Sequence, residues 1–475
     1  MRKILFLILI SLLGIFLCKK KENKPPETPK VFGPSYGYVD SAYEFKATTF
    51  EPEEESVAFR FDFGDGNISD WTNFVKSGET IKITHSFSRA DSYYVKAQAK
   101  DIKGNISYWS FPHSIYISER PLEKLWEKNY GGTGWEYGYK IKEINNNYFI
   151  VGEAEHKVYL LKVDRDGNLL WEGRYGPDNG ISYGYDIIIA RDGNYLICGA
   201  TNVRNGRYDA YLIKVDNNGN LIWERIIDLN DNDDYGCVIK PAKDDSGYII
   251  FGYEYNDTIS SHDIFVAKVD EYGYLLSSIG FGGRLDDYLY DVLELEDGYL
   301  ICGFTESYGA GGGDVYLVKT NFNGEPRWDR TFGGVNWERG YSIKKTNDNS
   351  FIICGTTQSF GNGSYDVYVL KVDENGNLLW QKTYGGTNWD EGYCIDLADN
   401  GYIITGFTRS FGSGNEDIYV IKIDENGNLI WQKTYGGSEQ DKGECVIQTE
   451  DGYLICGYTW IEGKGFDVYL LKLRR

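Results

Sequence analysis

The 475-residue sequence has little of what many catalytic and metal-binding chains carry. It contains four histidines, spread over different regions, and neither an HExxH motif nor a paired CxxC motif. The sequence therefore lacks the ligand motifs of a zinc hydrolase and the residue pattern of a histidine-based catalytic triad. Basic charge is also scarce, because 49 Lys and Arg residues against 71 Asp and Glu residues give a formal net charge of −22. Since such a chain would repel phosphate groups, nucleic acid is not predicted as a partner.

Long apolar heptads are absent, which argues against a helical protein, and the longest apolar run is too short to span a membrane. That run, ILFLILISLLGIFL (residues 4–17), follows a basic start and falls short of the roughly 20 residues that a spanning helix needs. We interpret residues 1–18 as an export signal and residues 19–35 as a polar tether. Cys18 resembles the lipid-acceptor cysteine of bacterial lipoproteins. Because Phe16 and Leu17 stand where such signals have small residues, lipidation, simple cleavage and an uncleaved anchor all stay open.

What the chain does have is a repeat of about fifty residues. A strand pattern containing Lys is followed by a turn and usually by Trp. The copies are VYLLKVDRDGNLLW (158–171), AYLIKVDNNGNLIW (210–223), IFVAKVDEYGYLLS (264–277), VYLVKTNFNGEPRW (315–328), VYVLKVDENGNLLW (367–380) and IYVIKIDENGNLIW (418–431). A seventh, VYLLKLRR (468–475), stops before its Trp, and the missing half, LEKLWEKNYGG (122–132), precedes the array.

Each repeat contains four short strand patterns separated by turn residues. Four strands in each of seven repeats predict an all-β fold in which residues 122–475 form a seven-bladed β-propeller. Because an open stack would leave two unpaired edges, the displaced half-repeats predict strand closure by both termini.

The turn phrase Asp373-x-x-Gly376-x-x-x-Trp380, which recurs at residues 164–171, 216–223 and 424–431, resembles the tryptophan-docking repeat of quinoprotein-like propellers. It has one residue fewer between Asp and Gly. The resemblance implies that each Trp, including Trp126 and Trp328, docks between neighbouring blades, and that the junction where Ser277 replaces it is looser. That family includes quinone-dependent dehydrogenases and noncatalytic envelope scaffolds. The dehydrogenases' quinone site is often roofed by adjacent cysteines, which this chain lacks, so no cofactor is predicted.

Residues 36–118 form a separate β-rich unit with the string Phe61-Asp62-Phe63-Gly64-Asp65-Gly66. This unit resembles the polycystic-kidney-disease (PKD) type of immunoglobulin-like module, which implies a β-sandwich acting as a spacer or adhesive unit. Asp62, Asp65 and Asp101 either fix turns or bind calcium. We predict turns, and hence no metal site.

Acids recur two residues ahead of the glycine position in six of the predicted first strands: Glu136, Asp234, Asp287, Glu338, Asp390 and Asp441. If their side chains point inward, these acids form a ring at the mouth of the propeller's central channel, and such a ring could hold a cation or a basic side chain. If they accept backbone N–H groups, they are staples between blades, which near-perfect repetition favours. A second series, which includes Asp209 and Asp263, precedes the third strands and is also interpreted as structural; Lys157 interrupts it.

Departures from the repeat are better candidates for a binding site, because a site needs asymmetry. Trp135, Trp337 and Trp389 occur in only three inter-blade loops, and Trp460 follows a second strand. Such rings either stack on sugars or grip peptide side chains, or they cover the blade ends. Most cysteines occupy repeated packing positions, and only Cys445 and Cys456 fall opposite each other across a predicted hairpin, where a disulfide is the alternative.

We therefore expect a noncatalytic exported or cell-envelope protein, with no catalytic residue, whose propeller face binds a protein or glycan partner through these four tryptophans and six acids. Contact with a membrane is expected only through the N-terminal anchor. The alternative is a secreted carbohydrate-active or quinone-dependent enzyme that uses the channel mouth.

Overall fold

The computed structural model describes residues 23–118, 122–204, 206–229 and 232–474, so the predicted export signal and Cys18 lie outside the described residues. The described residues form strands and no helix, which confirms the all-β prediction, and none of them belongs to a helix able to cross a membrane. The chain divides into two compact units, Met1–Arg120 and Pro121–Arg475.

The first unit is a sandwich of two sheets. Its strands are β1 (Lys30–Phe32), β2 (Tyr36–Tyr38), β3 (Ala42–Thr48), β4 (Ser56–Asp62), β5 (Val75–Lys76), β6 (Ile81–Ser86), β7 (Asp91–Asp101) and β8 (His113–Ser118). One sheet has the order β1-β3-β6 and the other the order β2-β8-β7-β4-β5. Alternate residues of β7 point inward, so that Val95, Ala97 and Ala99 are fully buried. This period of two is what a half-buried strand requires.

The predicted tether is wrong over its second half. Lys30–Phe32 pairs antiparallel with β3, and Val31 packs against the sandwich core. The backbone N–H of Glu27 also donates to the carbonyl of Phe50 at 2.9 Å. Because β3 would otherwise lack a partner on that side, this segment completes the three-stranded sheet instead of spanning a gap.

The second unit contains twenty-eight strands within its described residues. They are β9 (Glu123–Tyr130), β10 (Glu136–Ile144), β11 (Asn147–Ala154), β12 (Lys157–Val163), β13 (Leu169–Tyr175), β14 (Ser182–Ile189), β15 (Tyr195–Arg204), β16 (Arg207–Val215), β17 (Leu221–Ile227), β18 (Asp234–Pro241), β19 (Tyr248–Asn256), β20 (Ser261–Val269), β21 (Leu275–Phe281), β22 (Asp287–Leu295), β23 (Gly298–Thr305), β24 (Asp314–Thr320), β25 (Pro326–Phe332), β26 (Glu338–Lys345), β27 (Phe351–Thr357), β28 (Asp366–Val372), β29 (Leu378–Tyr384), β30 (Asp390–Ala398), β31 (Gly401–Thr408), β32 (Asp417–Asp424), β33 (Leu429–Tyr435), β34 (Asp441–Thr449), β35 (Gly452–Ile461) and β36 (Gly465–Arg474).

These strands make four-stranded antiparallel sheets, a pattern that fits a propeller. Six sheets take four consecutive strands each, from β10-β11-β12-β13 to β30-β31-β32-β33. The sheet that contains the C-terminal strand has the order β34-β35-β36-β9, so its fourth strand comes from the start of the unit. In that pair, Lys472 lies opposite Trp126 and Val468 lies opposite Tyr130.

The repeated tryptophans pack on the turn glycines of the following sheet. A Cβ atom built on Gly427 would lie 2.8 Å from the ring of Trp380, and one built on Gly376 would lie 2.9 Å from the ring of Trp328. Both glycines have a positive φ, 75° and 77°. The turn therefore needs glycine for its conformation and for the ring that covers it. The predicted docking between sheets is confirmed for Trp380 and Trp328. Ser277 stands where a tryptophan would reach the turn at Gly324, and there the atoms nearest to an added Cβ belong to Val266 and Ile279.

Candidate functional site

A cavity of about 300 Å³ lies where the first strands of the sheets meet. Its wall is built by β10, β14, β18, β22, β26, β30 and β34, with one residue from β19. Six tyrosines line it, and we call it the tyrosine cavity: Tyr139, Tyr185, Tyr253, Tyr290, Tyr341 and Tyr393. Because aromatic rings offer apolar faces and a polar hydroxyl group, such a wall suits a ligand that carries both kinds of surface.

A bulge occurs in every first strand and brings five of the six tyrosines to the cavity, whereas Tyr253 comes from β19. In β30 the pairing passes from Gly392 opposite Gly406 to Cys394 opposite Thr405, so Tyr393 is left without a partner. The same register shift occurs in the other six first strands. In a regular strand, neighbouring side chains point to opposite faces, whereas a bulge re-aims one of them. Tyr393 and Cys394 therefore both line the cavity.

Charged groups are placed among the tyrosines. Lys140 Nζ lies 3.8 Å from Asp291 Oδ1, and that charge raises the pKa of Lys140. Burial raises the pKa of Glu444 to about 7, an effect that Lys442 opposes and Glu391 reinforces. Burial also raises the pKa of Tyr290 to about 12. At neutral pH the cavity thus offers protonated tyrosine hydroxyls, an ammonium group and a carboxyl group that is close to its titration point.

The cavity also contains three cysteines, Cys237, Cys394 and Cys445. The sulfur atoms of Cys394 and Cys445 lie 3.4 Å apart. Cys445 and Cys456 are opposite each other in the β34–β35 register, as expected, but both are free thiols. The disulfide considered from the sequence is therefore absent from the structure.

The six predicted acids are buried at the starts of their strands instead of lining the cavity. Asp390 Oδ2 accepts hydrogen bonds from the backbone N–H of Gly386 at 2.7 Å and from Ser410 Oγ at 2.6 Å. Glu338 and Asp441 hold their own entering loops in the same way. These carboxylates turn into the loops that they staple, which is the arrangement that near-perfect repetition favours, and they do not form an open acidic ring.

Asp234 departs from the other five acids in its surroundings. One of its oxygens accepts the N–H of Leu229 at 2.9 Å. Burial raises its pKa to about 8, and the charges of Glu254, Asp209 and Asp228 add to that rise. The loop at this position therefore concentrates negative charge in a way that the repeat does not require.

The four predicted tryptophans lie at the sheet ends, outside the cavity wall. Trp135 is 57% exposed, while Trp337, Trp389 and Trp460 are half-buried. Trp135 and Trp460 are brought together, since both contact Phe466 with centroid distances of 6.0 and 5.0 Å. Trp337 stacks on Phe304 at 5.6 Å and Trp389 stacks on Tyr365 at 5.2 Å, at two separate junctions.

In the first unit, the predicted aspartates hold turns. Asp62 Oδ1 accepts the N–H of Gly64 at 3.0 Å, and Asp101 Oδ1 accepts the N–H of Lys103 at 2.9 Å and that of Asn105 at 2.8 Å. Asp65 Oδ2 lies 2.7 Å from His85 Nε2, and the His85 ring stacks on Phe63. The Phe-Asp-Phe-Gly-Asp-Gly string is thus a turn that packs an aromatic ring and a histidine over the sandwich core.

The family model described as the PKD domain matches residues 34–111. This segment is a PKD domain. Among solved structures, the PKD domain of an M14-like peptidase from a Thermoplasmatales archaeon is 29% identical, with a TM-score of 0.19, and the match covers 20% of this chain and 97% of that one.

Two further structures match most of the chain at low identity. A mutant of Synechocystis apocarotenoid oxygenase is 9% identical over 86% of this chain and 98% of that chain, with a TM-score of 0.38. The cobalt-substituted form of the same oxygenase gives 9% identity, coverage of 88% and 97%, and a TM-score of 0.37. Scores this low carry no argument about fold or function. No curated protein matches the chain.

Sequence reasoning missed the tyrosine cavity, although a signal was present. An aromatic residue follows the first-strand glycine position in most repeats, as in Tyr139, Tyr185 and Tyr341. A strict period of two assigns this residue to the face opposite its neighbour and so to packing. Only the bulge, which a glycine in the partner strand accompanies, turns it toward the centre.

Proposed function

We propose that the sheets of the second unit form a closed seven-bladed β-propeller of the quinoprotein-like type. The pairing of β9 with β36 supports closure, and the common wall that the first strands build around one cavity supports a radial arrangement. The docking of Trp380 on the next turn supports the quinoprotein-like relationship.

On this architecture, we propose a noncatalytic exported binding protein whose partner is a glycan or a protein segment. The convergence of six tyrosine side chains on one cavity carries the proposal. Tyrosine supplies ring faces for stacking and a hydroxyl group for hydrogen bonds, at little cost in side-chain entropy. The tryptophans at the sheet ends extend the aromatic surface, and Trp135 is the most exposed of the four.

Export and anchoring belong to the same proposal. PKD domains are typical of extracellular and surface proteins, and the basic start, apolar run and Cys18 of the sequence fit an exported, lipid-anchored chain. In this arrangement the membrane is contacted only through the N-terminal anchor. Labelling of the full chain with a fatty-acid analogue tests the anchor, since the Cys18→Ser variant should lose the label.

Glycan and peptide arrays, followed by titration calorimetry with each hit, test the binding function. We expect Tyr341→Leu to weaken binding by roughly tenfold or more, because it removes one stacking ring and its hydroxyl group. Tyr272→Leu is the matched control, since Tyr272 is 63% exposed and outside the cavity. Equal affinities of the two variants would reject the cavity as the site, and loss on changing Trp337 and Trp389 alone would move the site to the sheet ends.

A secreted carbohydrate-active enzyme is the alternative, and one observation favours it. Glu444 is a cavity carboxyl group whose pKa is raised to about 7, which is the property of a general acid. Turnover of a glycan panel by the wild type, with loss in Glu444→Gln and retention of ligand binding, would establish this alternative over the noncatalytic function.

A further inference from the structure

The junctions between neighbouring sheets share one acidic design. At six of them, an acid at the start of a third strand or beside it faces the acid that begins the next first strand. The pairs are Asp209/Asp234, Asp263/Asp287, Asp314/Glu338, Asp366/Asp390, Asp417/Asp441 and Asp467/Glu136, and all twelve side chains are buried. At the remaining junction, Lys157 and Ser182 replace both acids.

Two neutral residues normally accompany each pair. The first is a glycine five positions ahead of the second acid: a Cβ built on Gly385 would meet carboxylate oxygens of both Asp366 and Asp390. The second is a threonine in the neighbouring strand, because Thr408 lies opposite Asp390 and donates its hydroxyl hydrogen to it. Glycine leaves room for the two carboxylates, and threonine satisfies one of them.

The junction that contains Asp234 replaces both neutral residues by acids. Asp228 takes the place of the glycine directly after the fourth strand, six positions ahead of Asp234 because this loop is one residue longer. Glu254, opposite Asp234 in the β18–β19 register, takes the place of the threonine. A third carboxylate has therefore been added where the other junctions have only space. A structural staple does not need this addition, since five junctions function without it.

The three aspartates converge on one point. Asp209, Asp228 and Asp234 each offer a carboxylate oxygen, and these oxygens all lie within 4.8 Å of one another. Asp234 is fully buried, and no group in the described part of the chain donates a hydrogen bond to its Oδ1. A buried carboxylate oxygen without a partner is costly, and adding further negative charge beside it increases that cost.

We propose that Asp209, Asp228 and Asp234 bind a single calcium ion at this junction. Hard carboxylate oxygens are the ligands that Ca²⁺ prefers, and a cluster without nitrogen or sulfur donors disfavours zinc and copper. The ion has a route from solvent, because Asp228 borders an open groove of about 680 Å³ that also contains Val203 and Arg225. None of the three aspartates lines the tyrosine cavity, so the calcium site does not depend on the proposed binding function.

Titration calorimetry of the full metal-free chain with CaCl₂ is the test, with thermal melting in CaCl₂ and in EDTA as a second readout. We expect one Ca²⁺ per chain and a higher melting temperature in calcium. Asp228→Gly restores the residue that the other junctions carry, so the fold is expected to be retained, and affinity should fall by roughly tenfold or more. Asp209→Asn should have a similar effect.

Asp417→Asn is the matched control, because Asp417 occupies the same repeat position at a junction with glycine and threonine. It should bind Ca²⁺ like the wild type. Absence of calcium binding by the wild type, unchanged affinity in Asp228→Gly, or equal losses in Asp209→Asn and Asp417→Asn would each overturn the proposal. If Asp228→Gly fails to fold, as judged by near-ultraviolet circular dichroism, the wild-type stoichiometry and the comparison of Asp209→Asn with Asp417→Asn still decide the proposal.

Discussion

Replacing a turn glycine by alanine measures how much the tryptophan docking stabilises the second unit. We choose Gly427, whose φ is 75° and whose added Cβ would lie 2.8 Å from the ring of Trp380. Gly193 is the matched site: its φ is 83°, it also ends a tight turn between two strands, and nothing lies within 4 Å of an added Cβ. The two variants share the conformational penalty and differ in the contact with the ring.

The expected magnitudes follow from these two terms. A non-glycine residue in the left-handed region costs about 1 kcal/mol, so Gly193→Ala should lower the free energy of unfolding by about that amount. Gly427→Ala adds the displacement of a large, rigid ring, and overpacking of this kind costs about 2 kcal/mol more. The total for Gly427→Ala is therefore about 3 kcal/mol.

A double-mutant cycle separates the ring contact from the backbone strain. Trp380→Ala alone should cost about 2 kcal/mol, since the ring is half-buried. In the Trp380→Ala background, Gly427→Ala should then cost only the strain term, as Gly193→Ala does. Urea unfolding followed by circular dichroism supplies all four free energies. Equal effects of Gly427→Ala with and without Trp380 would refute the explanation of the turn glycine.

Two further predictions concern titratable groups. The free energy of unfolding should fall as pH rises from about 4.5 to about 7, because the unfolded chain releases the Glu444 proton while the folded chain retains it. Chemical denaturation at pH 5 and pH 8 measures this loss of stability, and Glu444→Gln should reduce it by an amount on the order of 2 kcal/mol. An unchanged loss in Glu444→Gln would contradict the buried position of Glu444. In the PKD domain, burial acts to raise the pKa of Asp65, but hydrogen bonds from His85 and Asn67 lower it by more, so the net pKa is below its usual value. The ionised Asp65 therefore stabilises the folded domain at pH 7, and this stabilisation is lost as pH falls through the lowered pKa. Asp65→Asn should lower the unfolding free energy by about 1 kcal/mol at pH 7 and by less at pH 3; an equal effect at both pH values would show that the charge of Asp65 is not involved.

The repeated features of the fold could be predicted from the sequence. The alternation of apolar residues and the Asp-x-x-Gly turns predict strands and hairpins because these signals are local. The pairing of the Trp126 strand with the C-terminal strand is non-local, yet it was predictable because each end of the array lacks what the other end carries. The role of residues 30–32 was not predictable in the same way, since three residues have too little pattern to distinguish an edge strand from a tether.

The geometry of the candidate sites was harder to predict from the sequence, because it depends on loop conformations and bulges. The six acids ahead of the first strands attract attention as charges, but whether a carboxylate faces solvent or a backbone N–H depends on the loop conformation around Gly386 and its equivalents. The tyrosine cavity depends on a bulge that shifts one residue, and a one-residue shift changes the face of every side chain that follows. Repetition therefore favoured the correct direction for the acids, whereas periodicity did not predict that the tyrosines face the cavity.

Departures from the repeat become informative only when the partners of each position are known. Lys157 and Ser182 lie 25 positions apart, yet they replace the two acids of one junction together, which is what removal of a charged pair requires. Asp228 and Glu254 also change together, but they add charge to a pair that is retained. Selection for folding alone favours the first change, because it relieves repulsion, and opposes the second. Asp228 thus brings a third carboxylate to the point where Asp209 and Asp234 already converge, and a cation is the ligand whose chemistry matches that arrangement.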